Sequence, residues 1–159
     1  MPSTYTPIAT QTLGSAASSV TFSSIPSTYT DLILIVSGTG STDTNLNTTF
    51  NSDTSTNYSR TFMFGNGSSA TSGRESSQNY MSLTYLTTGQ TNSIYQIMNY
   101  SNTTTNKTVL SRTNASAVAV TAIVCLWRST AAVSTITLTA GSGNIQAGST
   151  FTLYGVKSA

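Results

Sequence analysis

The chain has 159 residues, a formal net charge of +2 and only 6% charged residues, where an average protein has about 25%. Its six basic residues are scattered singly, which excludes the basic patch of a nucleic-acid-binding protein and a polybasic segment for anionic lipid. The sequence contains no histidine, so histidine-based triads and histidine metal ligands are excluded as well. Polarity comes instead from 27 serines and 32 threonines, and threonine favours strands.

The N-terminal residues 1–10 predict an extended arm or edge strand, because Pro2 and Pro7 cannot donate to a strand ladder. This segment has neither the basic region nor the apolar region of a secretory signal. No apolar run in the chain approaches the ~18 residues that span a bilayer. We therefore expect one domain over residues 1–159, with no membrane segment, made and folded in a reducing cytoplasm.

The run Leu32 to Val36 is the longest stretch of large aliphatic residues and the predicted centre of the core. It is short and β-branched, with a proline before it and glycines after it. These features predict a strand buried on both faces rather than a helix. A strand over residues 18–25 is predicted to precede it, with Val20 and Phe22 on one face.

Shorter segments with alternating apolar residues are the next predicted strands: Leu46 to Phe50, Tyr58 to Phe64, Met81 to Tyr85, Ile94 to Tyr100 and Thr108 to Arg112. In the second of these, Arg60 is predicted to share one side with Phe62 and Phe64. The glycine- and serine-rich span Gly65 to Gly73 predicts the most flexible loop of the chain.

A second long apolar strand is predicted over Ala117 to Trp127. The alanines of Ala115 to Val120 leave a short helix open as an alternative there, although the β-branched residues favour a strand. The single cysteine, Cys125, lies inside this run and predicts a buried, inert thiol. We expect this strand and Leu32 to Val36 to be the two central strands, either paired or facing each other across a sandwich.

Strands over Val133 to Thr139 and Phe151 to Val156 bring the total to roughly ten, with turn signals about every ten residues. No segment has a sustained helical period with caps. The pattern therefore predicts an all-β fold, a single jelly-roll-like antiparallel β-sandwich.

The acidic residues do not indicate an enzyme. Asp31, Asp43, Asp53 and Glu75 lie in separate segments and form no recognisable catalytic pair. Calcium bound by Asp43, Asn45 and Asp53 is a weaker alternative, because the spacing matches no known calcium loop. We expect no catalytic residue, no metal and no cofactor.

The aromatic residues are the candidate contact residues. Tyr80, Tyr85, Tyr95 and Tyr100 are predicted at a subunit interface, where amphipathic rings are enriched. Trp127 adjoins the second apolar strand and is predicted first as a core or interface residue with a satisfied N–H. Stacking of these rings on host-surface glycans is the alternative.

Several segments together resemble small virion proteins of tailed bacteriophages, notably marine and cyanobacterial ones. These segments are Val20 to Asp31, Gly65 to Arg74, Met98 to Thr108, Leu126 to Thr130 and Phe151 to Val156, and they extend over nearly the whole chain in the order of that family. The resemblance implies a non-enzymatic structural protein of the virion, synthesised in the host cytoplasm.

Within that family, the first expectation is a capsid decoration (cement) protein on the phage head, a homotrimer that binds the major capsid protein. Residues 1–10 or the loops would dock, through neutral hydrogen bonds and a modest apolar patch. The alternative is a tail-fibre or receptor-binding module that recognises host-surface glycans.

Overall fold

The computed structural model describes residues 4–115 and 118–157, which contain twelve strands and no helix. None of this part of the chain could therefore cross a membrane as a helix. The strands are β1 Tyr5–Thr12, β2 Ser19–Phe22, β3 Asp31–Gly38, β4 Thr44–Phe50, β5 Tyr58–Gly65, β6 Ala70–Gln78, β7 Met81–Leu86, β8 Thr91–Met98, β9 Lys107–Ala115, β10 Ala119–Trp127, β11 Ile136–Ala140 and β12 Thr150–Val156.

The strands form two antiparallel sheets. An eight-stranded sheet has the order β1-β12-β3-β8-β9-β10-β5-β6, and a four-stranded sheet has the order β2-β11-β4-β7. The chain crosses between the sheets repeatedly, so that each strand of the smaller sheet lies between strands of the larger one in sequence. The predicted all-β antiparallel sandwich is confirmed, and β1 lies at one edge of the larger sheet.

The core lies between the two sheets. The larger sheet contributes Leu32, Leu34 and Val36 of β3, all with 0% exposure, and the smaller sheet contributes Leu46 and Phe50 of β4. Val20 and Phe22 are also buried together, as the sequence predicts. Alternate residues of the strands inside each sheet thus face one apolar layer, which is the usual construction of a two-sheet sandwich.

The prediction that Leu32 to Val36 is buried on both faces is wrong. Ile35 is 38% exposed, and its neighbour in register on β8, Ile94, is also 38% exposed. The smaller sheet covers one face of the larger sheet, and no described residue packs over the opposite face at these positions. An aliphatic run therefore lies in a strand that is buried on one face.

The two long apolar strands are neither paired nor facing across the sandwich. Both belong to the larger sheet, and β8 and β9 separate β3 from β10. β8, β9 and β10 form an antiparallel meander, in which each strand pairs with the next along the chain. Short connections favour such pairing of consecutive strands. They determine the strand order in this sheet, and the similar apolar composition of β3 and β10 does not.

The predicted loop Gly65 to Gly73 is mostly strand. Its turn is confined to residues 66–69, where Asn66 Oδ1 accepts hydrogen bonds from the backbone N–H groups of Ser68 (3.0 Å) and Ser69 (2.8 Å). Gly73 lies in β6 opposite Phe62, and a Cβ atom there would come within 2.6 Å of the Phe62 ring. This glycine therefore gives an aromatic ring room to lie across the strand.

The second apolar strand begins at Ala119, while Ala115 is the last residue of β9. The alternative of a short helix is therefore wrong for the described residues, and residues 116–117 lie outside them. Cys125 is fully buried, and burial raises the pKa of its thiol to about 12. At neutral pH the thiol is protonated, as expected for an inert core cysteine.

Candidate functional site

Three of the five candidate aromatic residues lie in the core. Tyr95 and Tyr100 have 0% exposure and Trp127 has 2%, so their rings are not at the surface of this chain. Tyr80 is half-buried. Tyr85, at 36% exposure, is the candidate whose ring is most accessible.

Trp127 holds one end of the sandwich together. Its Nε1–H donates to Asp53 Oδ2 over 2.7 Å, and its ring lies parallel to that of Tyr58 at 6.3 Å between centroids. Asp53 also accepts from Asn57 Nδ2 (3.1 Å) and from the Ser55 backbone N–H (2.9 Å). The satisfied indole N–H expected from the sequence is present, and the loop over residues 51–57 is fixed to the core through one carboxylate.

These hydrogen bonds lower the pKa of Asp53. Burial alone would raise it, but donation from Trp127, Ser55 and Asn57 prevails and brings the pKa from 3.8 to about 2. The folded state thus favours the ionised carboxylate. The resulting contribution to stability is fully present above the unfolded-state pKa and is lost as the pH falls from about 4 towards 2.

Replacing Asp53 by Asn should destabilise the protein at pH 7 by about 1–3 kcal/mol, because asparagine has one acceptor oxygen where Asp53 uses two, for Trp127 Nε1–H and for the Ser55 N–H. The difference from the wild type should shrink as the pH falls from about 4 to 2, where the wild-type carboxyl becomes protonated. Urea unfolding at several pH values measures both effects. Asp43→Asn, on an exposed aspartate, is the control. An Asp53→Asn effect that stayed constant down to pH ~2 would contradict the stated role of the charge.

A buried cation lies in register with Trp127 and carries no sequence signal. Lys107 has 0% exposure, and its Nζ donates to the carbonyl oxygens of Thr105 (2.7 Å) and Thr130 (3.2 Å). Burial lowers its pKa. These bonds tie two loops together at the end of the sandwich, which indicates a structural role.

The residues of the calcium alternative are not brought together. Asp43 immediately precedes β4, Asn45 lies within it, and Asp53 follows its far end. Asp43 Oδ1 accepts the Thr88 backbone N–H (3.0 Å), far along the strand from the hydrogen bonds of Asp53. In the part of the chain that the structure describes, no three His, Cys, Asp or Glu side chains form a group that could hold a metal ion.

A cleft of about 320 Å³ opens where the smaller sheet ends at β7 and leaves the inner face of β5, β9 and β10 partly uncovered. We call it the Tyr85 cleft. Its lining residues with a ring or a side-chain polar group are Asn45, Arg60, Phe62, Phe64, Ser82, Thr84, Tyr85, Thr113 and Thr121. The alternation along β5 puts Arg60, Phe62 and Phe64 on this one face, as the sequence predicts.

Arg60 is the charged residue of the cleft lining, and it is paired. Its Nε and Nη2 donate to the two carboxylate oxygens of Glu75 over 3.0 and 2.8 Å, and its Nη1 donates to the Ser82 carbonyl over 2.9 Å. The hydrogen bonds from Arg60 lower the pKa of Glu75. The guanidinium carbon also lies 5.1 Å from the centroid of the Phe62 ring. The cleft therefore has a fixed guanidinium group and almost no net charge.

Two polar side chains of the cleft have no hydrogen-bond partner among the described residues. The Oγ1 atom of Thr121 is buried without one. The amide of Asn45 is exposed at the cleft and likewise makes no side-chain hydrogen bond. A buried polar atom without a partner is rare in folded proteins and calls for an explanation.

The second candidate surface is the outer face of the eight-stranded sheet, defined as the side chains that point away from the smaller sheet. Its apolar members include Ile33, Ile35, Met63, Ile94, Leu110, Val120, Ala122 and Val124. Met63 is 64% exposed, Val120 60% and Val124 48%. Two shallow depressions of about 550 and 460 Å³ flank Val120. On the central strands β8, β9 and β10, all of whose residues are described, Arg112 is the one charged side chain of this face.

Sequence patterns indicated part of the Tyr85 cleft but not the outer face, since Leu32 to Val36 were predicted to be buried on both faces. One predicted strand has Arg60 on the same side as Phe62 and Phe64. A charged group beside two aromatic rings was the sequence signal for the Tyr85 cleft. Thr121 carried no such signal, because hydroxyl residues are common throughout the chain. Comparisons of the chain with protein-family models, curated proteins and solved structures find no significant match. Function must therefore be inferred from the chain's own residues and contacts.

Proposed function

We propose that the protein is a structural component of a bacteriophage particle, a capsid decoration protein on the head surface. The observation that carries this proposal is the exposed outer face of the eight-stranded sheet, whose central strands β8, β9 and β10 have a single charged side chain, Arg112. The resemblance of the sequence to small virion proteins supplies the particle, the major capsid protein as partner and the trimeric state. The lack of histidine supports a structural rather than a catalytic role.

The dimensions of the outer face suit a protein–protein contact. Seven spacings of about 4.8 Å make the eight-stranded sheet about 34 Å wide. Monomeric proteins rarely leave a contiguous apolar patch larger than a few hundred Å² exposed. The exposed Met63, Val120 and Val124 would contribute apolar area to such an interface, and the neutral residues around them would contribute hydrogen bonds.

Attachment through this face should depend little on ionic strength, because Arg112 is the single charged side chain on the outer face of the central strands β8, β9 and β10. Purified protein added to particles that lack it should bind about equally well in ~50 mM and ~500 mM NaCl, since screening weakens exposed charge pairs but not apolar contacts. Cosedimentation measures the bound fraction, and labelling with electron microscopy locates the protein. A loss of attachment at high salt, or a location on the tail, would contradict the proposal.

A tail-fibre or receptor-binding module that recognises glycans is the second candidate. The observation that favours it is the Tyr85 cleft, which combines aromatic rings with polar groups. Trp127, Tyr95 and Tyr100 do not support it, because their rings are buried in this chain. Location at the tail, together with selective binding on a glycan array, would favour this candidate over the first.

A further inference from the structure

The Tyr85 cleft has the charge balance of a site for a neutral ligand. Arg60 is paired with Glu75 through two hydrogen bonds and so offers no unpaired positive charge to an anion. The lining contains no carboxylate of its own that would attract a cation. Charged ligands would therefore lose solvation without gaining a compensating partner.

The polar groups of the cleft can both donate and accept. The printed bonds of Arg60 use three of its five N–H groups, so two donors remain without a partner. The Asn45 amide has no side-chain partner within the described part of the chain, and it can both donate and accept. Such a set matches ligand hydroxyl groups, which also do both.

The apolar groups of the cleft are aromatic. Phe62 and Phe64 are half-buried and Tyr85 is 36% exposed, so ring surfaces remain accessible beside the polar groups. Aromatic rings offer large, stiff apolar surfaces with little entropy to lose on binding. The cleft volume of about 320 Å³ lies at the low end for small-molecule sites. A compact ligand with an apolar surface and hydroxyls around its edge fits these conditions.

We propose that the Tyr85 cleft binds a neutral sugar residue, with C–H surfaces of the ring against Tyr85 and Phe64 and hydroxyl groups on Arg60 and Asn45. This proposal does not depend on where the protein sits in a particle. It holds equally for a head-surface protein and for a fibre module.

The direct test is a titration of ¹⁵N-labelled full-length protein with the methyl glycosides of glucose, galactose, mannose and N-acetylglucosamine. At least one glycoside should shift the side-chain resonances of Asn45 and Arg60, with a dissociation constant on the order of 1 mM for a single ring. If none of the probes shifts these resonances at concentrations up to ~100 mM, far above that constant, the proposal is overturned.

Asn45→Ala should lower sugar affinity about tenfold, the loss of one good hydrogen bond. Thr121→Val removes a buried hydroxyl that the cleft does not expose, so sugar affinity should stay as in the wild type. The unfolding midpoint of Thr121→Val should stay equal or rise by about 2–4 °C, because the change keeps the shape and removes a polar atom without a partner. An Asn45→Ala variant with wild-type affinity would contradict the proposed contact.

Tyr85→Ala should also weaken sugar binding about tenfold, through loss of the ring contact. Tyr154→Ala is the matched control, because Tyr154 lies in register with Ile33 on the outer face. Tyr85→Ala should attach to particles as the wild type does, because Tyr85 lines the cleft and not the outer face. If Tyr85→Ala leaves the glycoside shifts unchanged and instead abolishes attachment, the cleft is a protein-docking site and the sugar proposal is wrong.

Discussion

Replacing Leu34 by Asp is expected to prevent folding, whereas replacing the adjacent Ile35 by Asp is expected to leave a folded protein. Leu34 has 0% exposure and lies in register with Leu153 on one side and Tyr95 on the other, both with 0% exposure. An unpaired carboxylate there would lose its hydration and find no cation. The free-energy cost of burying this carboxylate would be comparable to the whole free energy of unfolding of a domain, roughly 5–15 kcal/mol.

Ile35 differs because its side chain points to the other face of the same strand and is 38% exposed. A carboxylate there stays in contact with water, so the expected loss is about 1 kcal/mol or less. Soluble yield, circular dichroism and urea unfolding of the two variants measure the contrast. A folded Leu34→Asp variant would contradict the core assignment, and an unfolded Ile35→Asp variant would show that the strand is buried on both faces.

The sequence does not determine whether β3 is covered on one face or on both. Five consecutive aliphatic residues have no period, so they predict a strand without telling whether one face is covered or two. The coverage depends on whether a layer packs on each face, and the described strands form two sheets, so that one face of the larger sheet stays open. The strands and the fold class were predictable because proline, glycine, asparagine, serine and threonine separate the apolar segments, whereas sheet pairing depends on connections that composition does not specify.

Gly155 shows how a local residue choice can depend on a distant ring. It lies in β12, and a Cβ atom there would overlap the ring of Tyr29. Sequence alternation placed Gly155 on the same face as Phe151 and Leu153, and all three are buried. The alternation did not predict the covering ring, because Tyr29 precedes β3 and is far from Gly155 in the chain.

The aromatic candidates illustrate the same limit for the site. Tyrosine occurs both at interfaces and in cores, so its identity does not fix its exposure. Tyr95 is buried and donates its hydroxyl to Thr84 Oγ1 over 2.8 Å, and burial raises its pKa. Tyr100 donates to the carbonyl of Pro26. Each buried tyrosine thus has a hydrogen-bond partner that comes from another strand or loop, which could not be paired from sequence alone.

The outer face and the Tyr85 cleft lie on opposite sides of β10, because successive side chains of a strand point to opposite faces. Val120 and Val124 belong to the outer face, and Thr121 to the cleft. A substitution at Val120 or Val124 therefore leaves the side chains that line the cleft unchanged. This separation makes a test of attachment informative even if no sugar binds.

The double variant Val120→Lys, Val124→Lys is expected to abolish attachment to the particle and to leave the fold intact. The two valines are 60% and 48% exposed, so long lysine side chains can extend into water in the free protein. In an interface the same two charges would be desolvated without partners. Affinity for particles should fall by at least ~100-fold, or about 2.7 kcal/mol.

The matched control is Thr54→Lys, Thr56→Lys, which adds the same charge at two exposed positions in the loop after β4. This control should attach as the wild type does, so that loss in the first variant is assigned to its place rather than its charge. Cosedimentation with particles and the sedimentation coefficient of the free protein give attachment and oligomeric state. If both pairs of lysines leave attachment unchanged, the outer face is not the docking surface. If only the loop pair abolishes it, docking lies at that end of the sandwich, where a single carboxylate fixes the loop to Trp127.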